Sequence, residues 1–190
     1  MRPPTTPSVK FTYDDFVHFP DDGKRHEIID GEHYVTPSPN TKHQRIVGRM
    51  HFALAAHLRN TRVGEVFVAP FDVVLSKWDI VEPDLLYISR ERAGVLTDQH
   101  VRGTPDLVVE ILSPGTRNID ELTKRKLYER FDVKEYWIVD PELNAIEIYR
   151  RVEGAFAGVP VLSAEHGNIL TTPLLPGVAV PLVDLFAPPR

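Results

Sequence analysis

The sequence predicts an α/β domain, on the border of the α+β class, with a mixed β-sheet flanked by helices. Segments with helical spacing alternate with segments of strand character, which is the pattern of such domains. The dipeptide Asp30-Gly31 separates two short strand-like runs and predicts an N-terminal hairpin. The run PDLVVEIL, from Pro105 to Leu112, is nearly continuous in apolar residues and predicts a buried strand.

Each remaining element follows from periodicity and turn residues. A short helix in YDDFVHFP ends at Pro20, because proline cannot continue a helix. A long helix is predicted from about Thr41 to Asn60, where Asn40 or Thr41 can cap it. In order, strands are predicted in GEVFVAPFDVVLS and VEPDLLYIS, a helix in NIDELTKRKLYERF, and a hairpin turning at DPELN in KEYWIVDPELNAIEIYR.

Composition predicts one globular domain over residues 1–190, since 42% of the residues are hydrophobic and 26% are charged. The predicted core runs from about residue 11 to 151, and the Pro-rich extension 152–190 is predicted to be an irregular arm. Prolines cluster at both ends, at Pro3, Pro4, Pro7, Pro173, Pro176, Pro181, Pro188 and Pro189.

Several function classes are disfavoured by what the sequence lacks. The absence of cysteine excludes disulfides and thiolate metal sites. No Walker loop, dinucleotide-binding fingerprint, nucleophile elbow or HExxH motif is present. No secretory signal or spanning apolar segment is found, so we expect no membrane association and a cytoplasmic location. The net charge of −5 argues against non-specific binding of nucleic acid by the whole surface, but a local basic patch remains possible.

Two acidic residues within apolar strands carry the main chemical prediction. Glu110 lies in the middle of LVVEIL, and Asp84 lies in VEPDLLYIS. A buried carboxylate without a partner costs of order several kcal/mol, and two on neighbouring strands raise each other's pKa unless a cation lies between them. The sequence therefore predicts a hard divalent ion, Mg²⁺ or Mn²⁺, held by Asp84 and Glu110. The alternative is that each carboxylate pairs separately with an arginine.

A lysine on the helix after Glu110 is the predicted partner of both carboxylates. At a rotation of about 100° per residue, Lys124 shares one face with Leu127, Tyr128 and Phe131, and Asp120 lies one turn earlier. A core-facing lysine needs acidic partners, which Glu110 and Asp84 can provide. The alternative is a lysine that extends along the apolar face to the surface.

Other side chains are candidates for the same site. His43 shares a helix face with apolar residues and can face the sheet; alternatively, it is a helix-end histidine bonded to a carbonyl. Glu27, within HEIID, is a candidate ligand or an edge-strand carboxylate paired across the hairpin. Asp106, at the start of the strand that carries Glu110, is a further candidate. Three basic residues form a modest phosphate-facing patch or an ordinary solvated helix face: Arg117, Arg125 and Lys126.

These motifs together resemble a known family. The segments, in order, are HEIIDGEHYVTPSPNTKHQRIVGRM, VEPDLLYIS, GTPDLVVEILSPGTRNIDELTKRKLYERFDVKEYWIVDP, IEIYR and LLPGVAVPLVDLF. They resemble the domain of unknown function 820 family of restriction-endonuclease-like proteins, within the PD-(D/E)xK nuclease superfamily. The resemblance covers about Tyr13 to Arg151, and LLPGVAVPLVDLF resembles the usual C-terminal ending of the family. It implies a restriction-endonuclease-like core.

The resemblance also implies roles for individual residues. Asp84 corresponds to the aspartate of the Pro-Asp element and Glu110 to the acidic residue of the (D/E)xK element. The lysine position of that element is Leu112 here, so the lysine role moves to Lys124. The implied activity is metal-dependent hydrolysis of nucleic-acid phosphodiesters, with the carbonyl of Ile111 as a further metal ligand. Lys124→Ala is expected to abolish cleavage and leave folding intact.

The implied partner is nucleic acid, in particular DNA, and small nuclease-fold domains often act as homodimers. Two other functions stay open on the sequence. One is a binding or structural module that has the nuclease fold without its chemistry, which Leu112 and the acidic net charge favour. The other is a metal-dependent hydrolase of a small phosphorylated compound, which the net charge of −5 also fits.

Overall fold

The predicted helices and strands occur in the predicted order, with further short elements between and after them. A computed structural model describes residues 9–36 and 38–188, so the predictions at Pro3, Pro4, Pro7 and Pro189 lie outside the described residues. The helices are α1 Tyr13–Phe16, α2 Thr41–Thr61, α3 Arg125–Arg130 and α4 Leu182–Leu185, with a 3₁₀-helix Arg90–Val95 and a π-helix Ile119–Lys124. The strands are β1 Arg25–Ile29, β2 Glu32–Thr36, β3 Gly64–Val68, β4 Val73–Ser76, β5 Asp79–Val81, β6 Leu85–Ser89, β7 Val101–Arg102, β8 Leu107–Ile111, β9 Glu135–Asp140, β10 Ala145–Val152, β11 Ala155–Gly158, β12 Leu162–Ser163, β13 Ile169–Leu170 and β14 Val180–Pro181.

The strands form a seven-stranded sheet, a five-stranded sheet and a two-stranded sheet. The seven-stranded sheet has the order β11-β10-β9-β8-β6-β3, with β12 beside β10. It is mixed, because β8 and β9 are parallel whereas β6 and β8 are antiparallel. The five-stranded sheet has the order β2-β1-β5-β4-β7 and contains the predicted N-terminal hairpin. The predicted α/β fold with a mixed sheet and flanking helices is confirmed.

Helix α2 covers one face of the seven-stranded sheet. Its buried apolar residues are Ile46, Met50, Leu54 and Leu58, which recur at intervals of four residues and face the core. The helix begins after Asn40, whose side-chain oxygen accepts a hydrogen bond from the backbone N–H of His43 at 3.0 Å. This cap holds the first turn in place, so that His43 faces the sheet as the apolar residues do.

The segment after Val152 is part of the core rather than a separate arm. Its described residues are irregular between short strands, but Leu170, Leu175, Leu182 and Leu185 are fully or almost fully buried with the apolar face of α2. The predicted core boundary near residue 151 falls within β10. Proline-rich composition predicts a lack of long elements, but it carries no information about tertiary burial.

The predicted helix after Glu110 has two parts of different geometry. It begins as a π-helix, Ile119–Lys124, and continues as α3. Residues four apart overshoot one turn of an α-helix and fall short of one turn of the wider π-helix. The two deviations offset each other, so Asp120, Lys124 and Tyr128 all lie buried on one side.

None of the helices within the described residues is long and apolar enough to cross a bilayer.

Candidate functional site

A cavity of about 170 Å³ opens where the five-stranded sheet, the start of α2 and the π-helix meet the strands β6 and β8. Its lining residues are Arg25, Glu27, Thr36, Ser38, Pro39, Asn40, His43, Asp84, Glu110, Ile111, Ser113, Pro114, Gly115, Thr116, Asp120 and Lys124. Most of the polar side chains that the sequence singled out therefore meet in one place.

Asp84 and Glu110 lie opposite each other because of the register of β6 and β8. Leu85 pairs with Val109 in this antiparallel pair. Asp84, one residue before Leu85, therefore faces the position one residue after Val109, which is Glu110. Both residues are almost completely buried, at 3% exposure each. The expectation that two buried carboxylates come together on neighbouring strands is met in the geometry.

Asp84 is surrounded by hydrogen-bond donors. Its Oδ1 accepts from Nη1 of Arg25 at 2.8 Å. Its Oδ2 accepts from the backbone N–H of Ile111 at 2.8 Å and lies 3.0 Å from Nε2 of His43. Burial alone would raise the pKa of Asp84, but the His43 contact and the Arg25 charge outweigh burial and lower it. His43 thus contacts a carboxylate and not a carbonyl, so its alternative interpretation is wrong.

Glu110 is bound by groups from the π-helix and α3. Its Oε1 accepts from Nζ of Lys124 and from the hydroxyl of Tyr128, both at 2.9 Å. Burial raises the pKa of Glu110 well above its ordinary value, and the charges of Asp120 and Asp84 add to the rise that Lys124 opposes. Lys124 is 4% exposed, so it does not extend to the surface.

Strand β1 brings two further charged residues to the cavity. Arg25 and Glu27 are two residues apart and therefore point to the same side of the strand. Glu27 Oε1 lies 2.8 Å from Nζ of Lys124 and accepts from the backbone N–H of Glu82 at 2.9 Å. Because β1 lies between β2 and β5, Glu27 is neither on an edge strand nor paired across the hairpin, and that alternative is wrong.

The π-helix adds a fourth carboxylate. Asp120 Oδ1 lies 3.5 Å from Nζ of Lys124, is buried, and makes no hydrogen bond to any described atom. Burial raises its pKa. The backbone carbonyl of Asp120 accepts a hydrogen bond from the hydroxyl of Tyr136 at 3.0 Å, which holds the π-helix against the sheet.

Negative charge exceeds permanent positive charge around this cavity. The lining carboxylates are Glu27, Asp84, Glu110 and Asp120, and the lining cations are Arg25 and Lys124. Although burial alone would lower the pKa of Lys124, Glu110 and Glu27 hold it well above its ordinary value. The lysine therefore stays charged, and the excess of carboxylates favours uptake of a further cation or of protons.

Asp106 does not line the cavity. It lies at the start of β8, completely buried, where its Oδ1 is 2.6 Å from Nζ of Lys134 and 3.4 Å from Nε of Arg92. Its Oδ2 accepts from the backbone N–H of Ser89 at 2.7 Å. These contacts tie β8 to the 3₁₀-helix and to β9, so Asp106 joins structural elements away from the cavity.

Asp106→Asn is accordingly expected to lower the free energy of unfolding by about 3 kcal/mol, because two cations lose their buried partner. Burial opposes ionisation, but the Lys134 and Ser89 contacts lower the pKa of Asp106. The stability it contributes is present above its unfolded pKa of about 3.9 and is lost as the pH falls through the lower folded value. Urea denaturation at several pH values measures this, with exposed Asp98→Asn as control. Equal stability of Asp106→Asn and the wild type at neutral pH would contradict the assignment.

The three residues of the predicted phosphate-facing patch lie outside the cavity. Arg117 lies 2.9 Å from Asp140 and 3.0 Å from Glu121, so carboxylates already neutralise its charge. Arg125 packs on the ring of Tyr149, and Lys126 is exposed. None of the three lines the cavity. The three residues are close together in sequence, but this closeness does not make their side chains point to one place.

Three residues near the cavity were missed as site candidates, namely Arg25, Glu82 and Asp120. Strand alternation would have found Arg25, because it shares a strand face with Glu27. It does not apply to Glu82, which lies in the connection between β5 and β6. Burial raises the pKa of Glu82 to about 7, although Arg25 opposes the rise. The signal for Asp120 was its four-residue spacing from Lys124.

The donor set of the cavity fits a hard divalent cation. Mg²⁺ prefers carboxylate oxygens, keeps several of its waters and needs only one or two protein carboxylates. Asp84 and Glu110 are such a pair, and the buried Oδ1 of Asp120 is an acceptor without a hydrogen bond. Within residues 9–36 and 38–188, no three His, Asp or Glu side chains are arranged as a complete ligand set. The residues therefore suit a partly hydrated ion.

Comparison with known proteins assigns the class of the fold and then the family. The structure is similar to a crystal structure described as "a putative nuclease belonging to DUF820" from Anabaena variabilis ATCC 29413, with a TM-score of 0.78 and 19% identity over 93% of this chain and 98% of that one. This likeness shows a nuclease-like fold. A model of the Uma2 family, described as "Putative restriction endonuclease", matches residues 13–183. The chain belongs to this family, which confirms the resemblance seen in the sequence. No curated protein matches the chain significantly.

Proposed function

We propose that the protein is an endonuclease that hydrolyses phosphodiester bonds of nucleic acid, in particular DNA, with Mg²⁺ or Mn²⁺ as its cofactor. The observation that carries the proposal is the buried pair Asp84 and Glu110, which lie opposite each other in a cavity with more carboxylates than permanent cations, with Lys124 bound to Glu110. Membership of the restriction endonuclease family supports the same reaction class.

In this proposal Asp84 and Glu110 would hold the ion, and the carbonyl of Ile111 would be a further ligand. A divalent ion held there would supply Lewis-acid chemistry, activating water and offsetting negative charge that develops on the phosphate. Lys124 keeps its proton on Nζ and stabilises the same developing charge electrostatically. Glu27 and Asp120 orient Lys124, since both lie within 3.5 Å of its Nζ.

His43 has a supporting role in the proposed mechanism. Its Nε2 contacts Asp84 Oδ2, while its Nδ1 is buried without a hydrogen bond to any described atom. This contact fixes the orientation of the Asp84 carboxylate from the side of α2. The backbone N–H of Ile111 fixes it from β8.

Cleavage of supercoiled plasmid tests the proposal. We expect the wild type to nick or linearise plasmid with Mg²⁺ or Mn²⁺ and to be inactive in EDTA, whereas Asp84→Asn is inactive with either ion. Lys126→Met, which changes an exposed cation on α3 outside the cavity, is the matched control and should retain full activity. Cleavage by Asp84→Asn at the wild-type rate would contradict the assignment.

The predicted homodimer is tested by sedimentation, which shows whether the protein has a mass that is a multiple of the 21.6 kDa monomer.

A second candidate function is a nucleic-acid-binding module without catalysis. Two observations favour it: Leu112 stands at the usual lysine position, and Arg25 and His43 already occupy both oxygens of Asp84. DNA binding that is independent of metal, together with the absence of cleavage, would distinguish this function from the endonuclease.

A further inference from the structure

Asp84 is already paired with a cationic side chain of the protein, that of Arg25. Arg25 Nη1 lies 2.8 Å from Asp84 Oδ1, and the side chains are 18% and 4% exposed, so the pair is largely shielded from water. An ion bound to Asp84 has to share this oxygen with the guanidinium or take its place. Because like charges at this distance repel strongly in a poorly solvated cavity, displacement of Arg25 is the more favourable outcome.

A second carboxylate lies beside the same arginine. Glu82 Oε1 is 3.7 Å from Nε of Arg25, which is too long for a hydrogen bond. This oxygen is buried and makes no hydrogen bond to any atom of the described residues. The backbone carbonyl of Glu82 accepts from Nη1 of Arg25 at 3.3 Å, a long contact. A small rotation of the arginine side chain would therefore complete the hydrogen bonding of Glu82.

Space for this movement exists on the far side of Arg25. A second cavity is lined there by residues that include Glu82, Gln44, Val47 and Pro70, and it shares Arg25 and Asp84 with the first cavity. Arg25 thus lies between the two cavities, with Asp84 as one acceptor and Glu82 as the other. The long guanidinium side chain can reach either carboxylate without a change in β1.

We propose that Arg25 is an internal counter-cation with two positions: it binds Asp84 in the metal-free protein and moves to Glu82 when a divalent ion binds Asp84. This inference rests on the proposed function, because it requires an ion at Asp84. Arg25 then competes with the ion, and Glu82 weakens the competition by offering the displaced guanidinium a partner. The measured metal affinity is the intrinsic affinity multiplied by the fraction of metal-free molecules in which Arg25 has left Asp84.

Calorimetric titration of Mn²⁺ into the full chain at pH 7.5 tests the two positions. We expect Arg25→Gln to bind Mn²⁺ at least about tenfold more tightly than the wild type. Glu82→Gln should bind it several-fold more weakly when Arg25 is present. In the double variant, the Glu82→Gln change should have little effect, because no guanidinium remains to be accepted.

Matched controls separate this effect from a general change in charge. Arg130→Gln removes an arginine that also pairs with a buried aspartate, Asp79, but lies outside both cavities. Glu65→Gln removes an exposed glutamate of β3. Each control should alter Mn²⁺ affinity by less than about twofold, because distant exposed charges are screened.

The outcomes distinguish the inference from the proposed function. Equal Mn²⁺ affinity of the wild type and Arg25→Gln overturns the inference and leaves the metal-dependent nuclease intact. Equal weakening by Glu82→Gln with and without Arg25 also overturns it, because Glu82 would then act on the ion directly. Thermal unfolding shows which variants are folded. If none of the folded variants binds Mn²⁺, both the proposed function and the inference are overturned.

Discussion

Lys124→Met is expected to lower the free energy of unfolding by about 3–5 kcal/mol and to abolish plasmid cleavage. Lys124 contacts Glu110, Glu27 and Asp120, and all four side chains are buried. Without the ammonium group, three carboxylates face one another with no cation among them. The sequence alone suggested that loss of Lys124 would leave folding intact, whereas the three contacts predict a loss of stability as well.

Urea denaturation and plasmid cleavage measure the two effects of Lys124→Met separately. Lys126→Met, two residues later and exposed, is the matched control and should change stability by less than about 0.5 kcal/mol. Adding Glu27→Gln to Lys124→Met removes one unpaired charge and should recover part of the stability without restoring cleavage. Full wild-type cleavage by folded Lys124→Met would remove Lys124 from the mechanism.

Glu110→Gln and Asp84→Asn are expected to abolish cleavage equally and to change stability in opposite directions. Burial and neighbouring carboxylates raise the pKa of Glu110, so a neutral glutamine relieves an unfavourable charge. His43 and Arg25 lower the pKa of Asp84 against the effect of burial, so a neutral asparagine removes a favourable charge. At neutral pH, Glu110→Gln should be at least as stable as the wild type, and Asp84→Asn should be less stable by about 2–4 kcal/mol.

The pH dependence of these two variants has opposite sign. The contribution of Glu110 to the free energy of unfolding is present below its unfolded pKa of about 4.3. It is lost as the pH rises through the higher folded pKa, so the wild type loses stability relative to Glu110→Gln. The contribution of Asp84 to the free energy of unfolding is present above its unfolded pKa of about 3.9 and is lost as the pH falls through the lower folded pKa. Urea midpoints without metal at about pH 3, 5 and 8 measure both trends. Parallel pH profiles for the two variants would contradict the assigned environments.

Much of the fold was predictable because the local signals are strong. Asp30-Gly31 specifies the hairpin, and Asn40 with the four-residue spacing of Ile46, Met50 and Leu54 specifies α2. These signals depend on neighbours in sequence. The burial of Leu170 and Leu182 was not predictable in the same way, because it depends on contacts with α2, more than 100 residues away in sequence.

The candidate site was predictable where strand periodicity applied. Asp84 and Glu110 were predicted to lie close together because both occur in segments of buried-strand character. Lys124 contacts Glu110 because it shares a helix face with Tyr128. Asp106 lies outside the cavity, where it pairs with Lys134 and Arg92, because a carboxylate at the start of a strand can have a structural role. Arg25 was missed because its partner, Asp84, lies 59 residues away in sequence. Only the register of separate strands reveals that contact.

Titration of Mn²⁺ into the wild type, Asp84→Asn and Glu110→Gln tests most directly whether these two carboxylates hold one ion between β6 and β8. We expect the wild type to bind Mn²⁺ and each variant to bind it at least about tenfold more weakly, while Glu65→Gln binds as the wild type does. If the wild type binds no Mn²⁺, or if all four proteins bind it with equal affinity, Asp84 and Glu110 are carboxylates paired with Arg25 and Lys124 for structure alone.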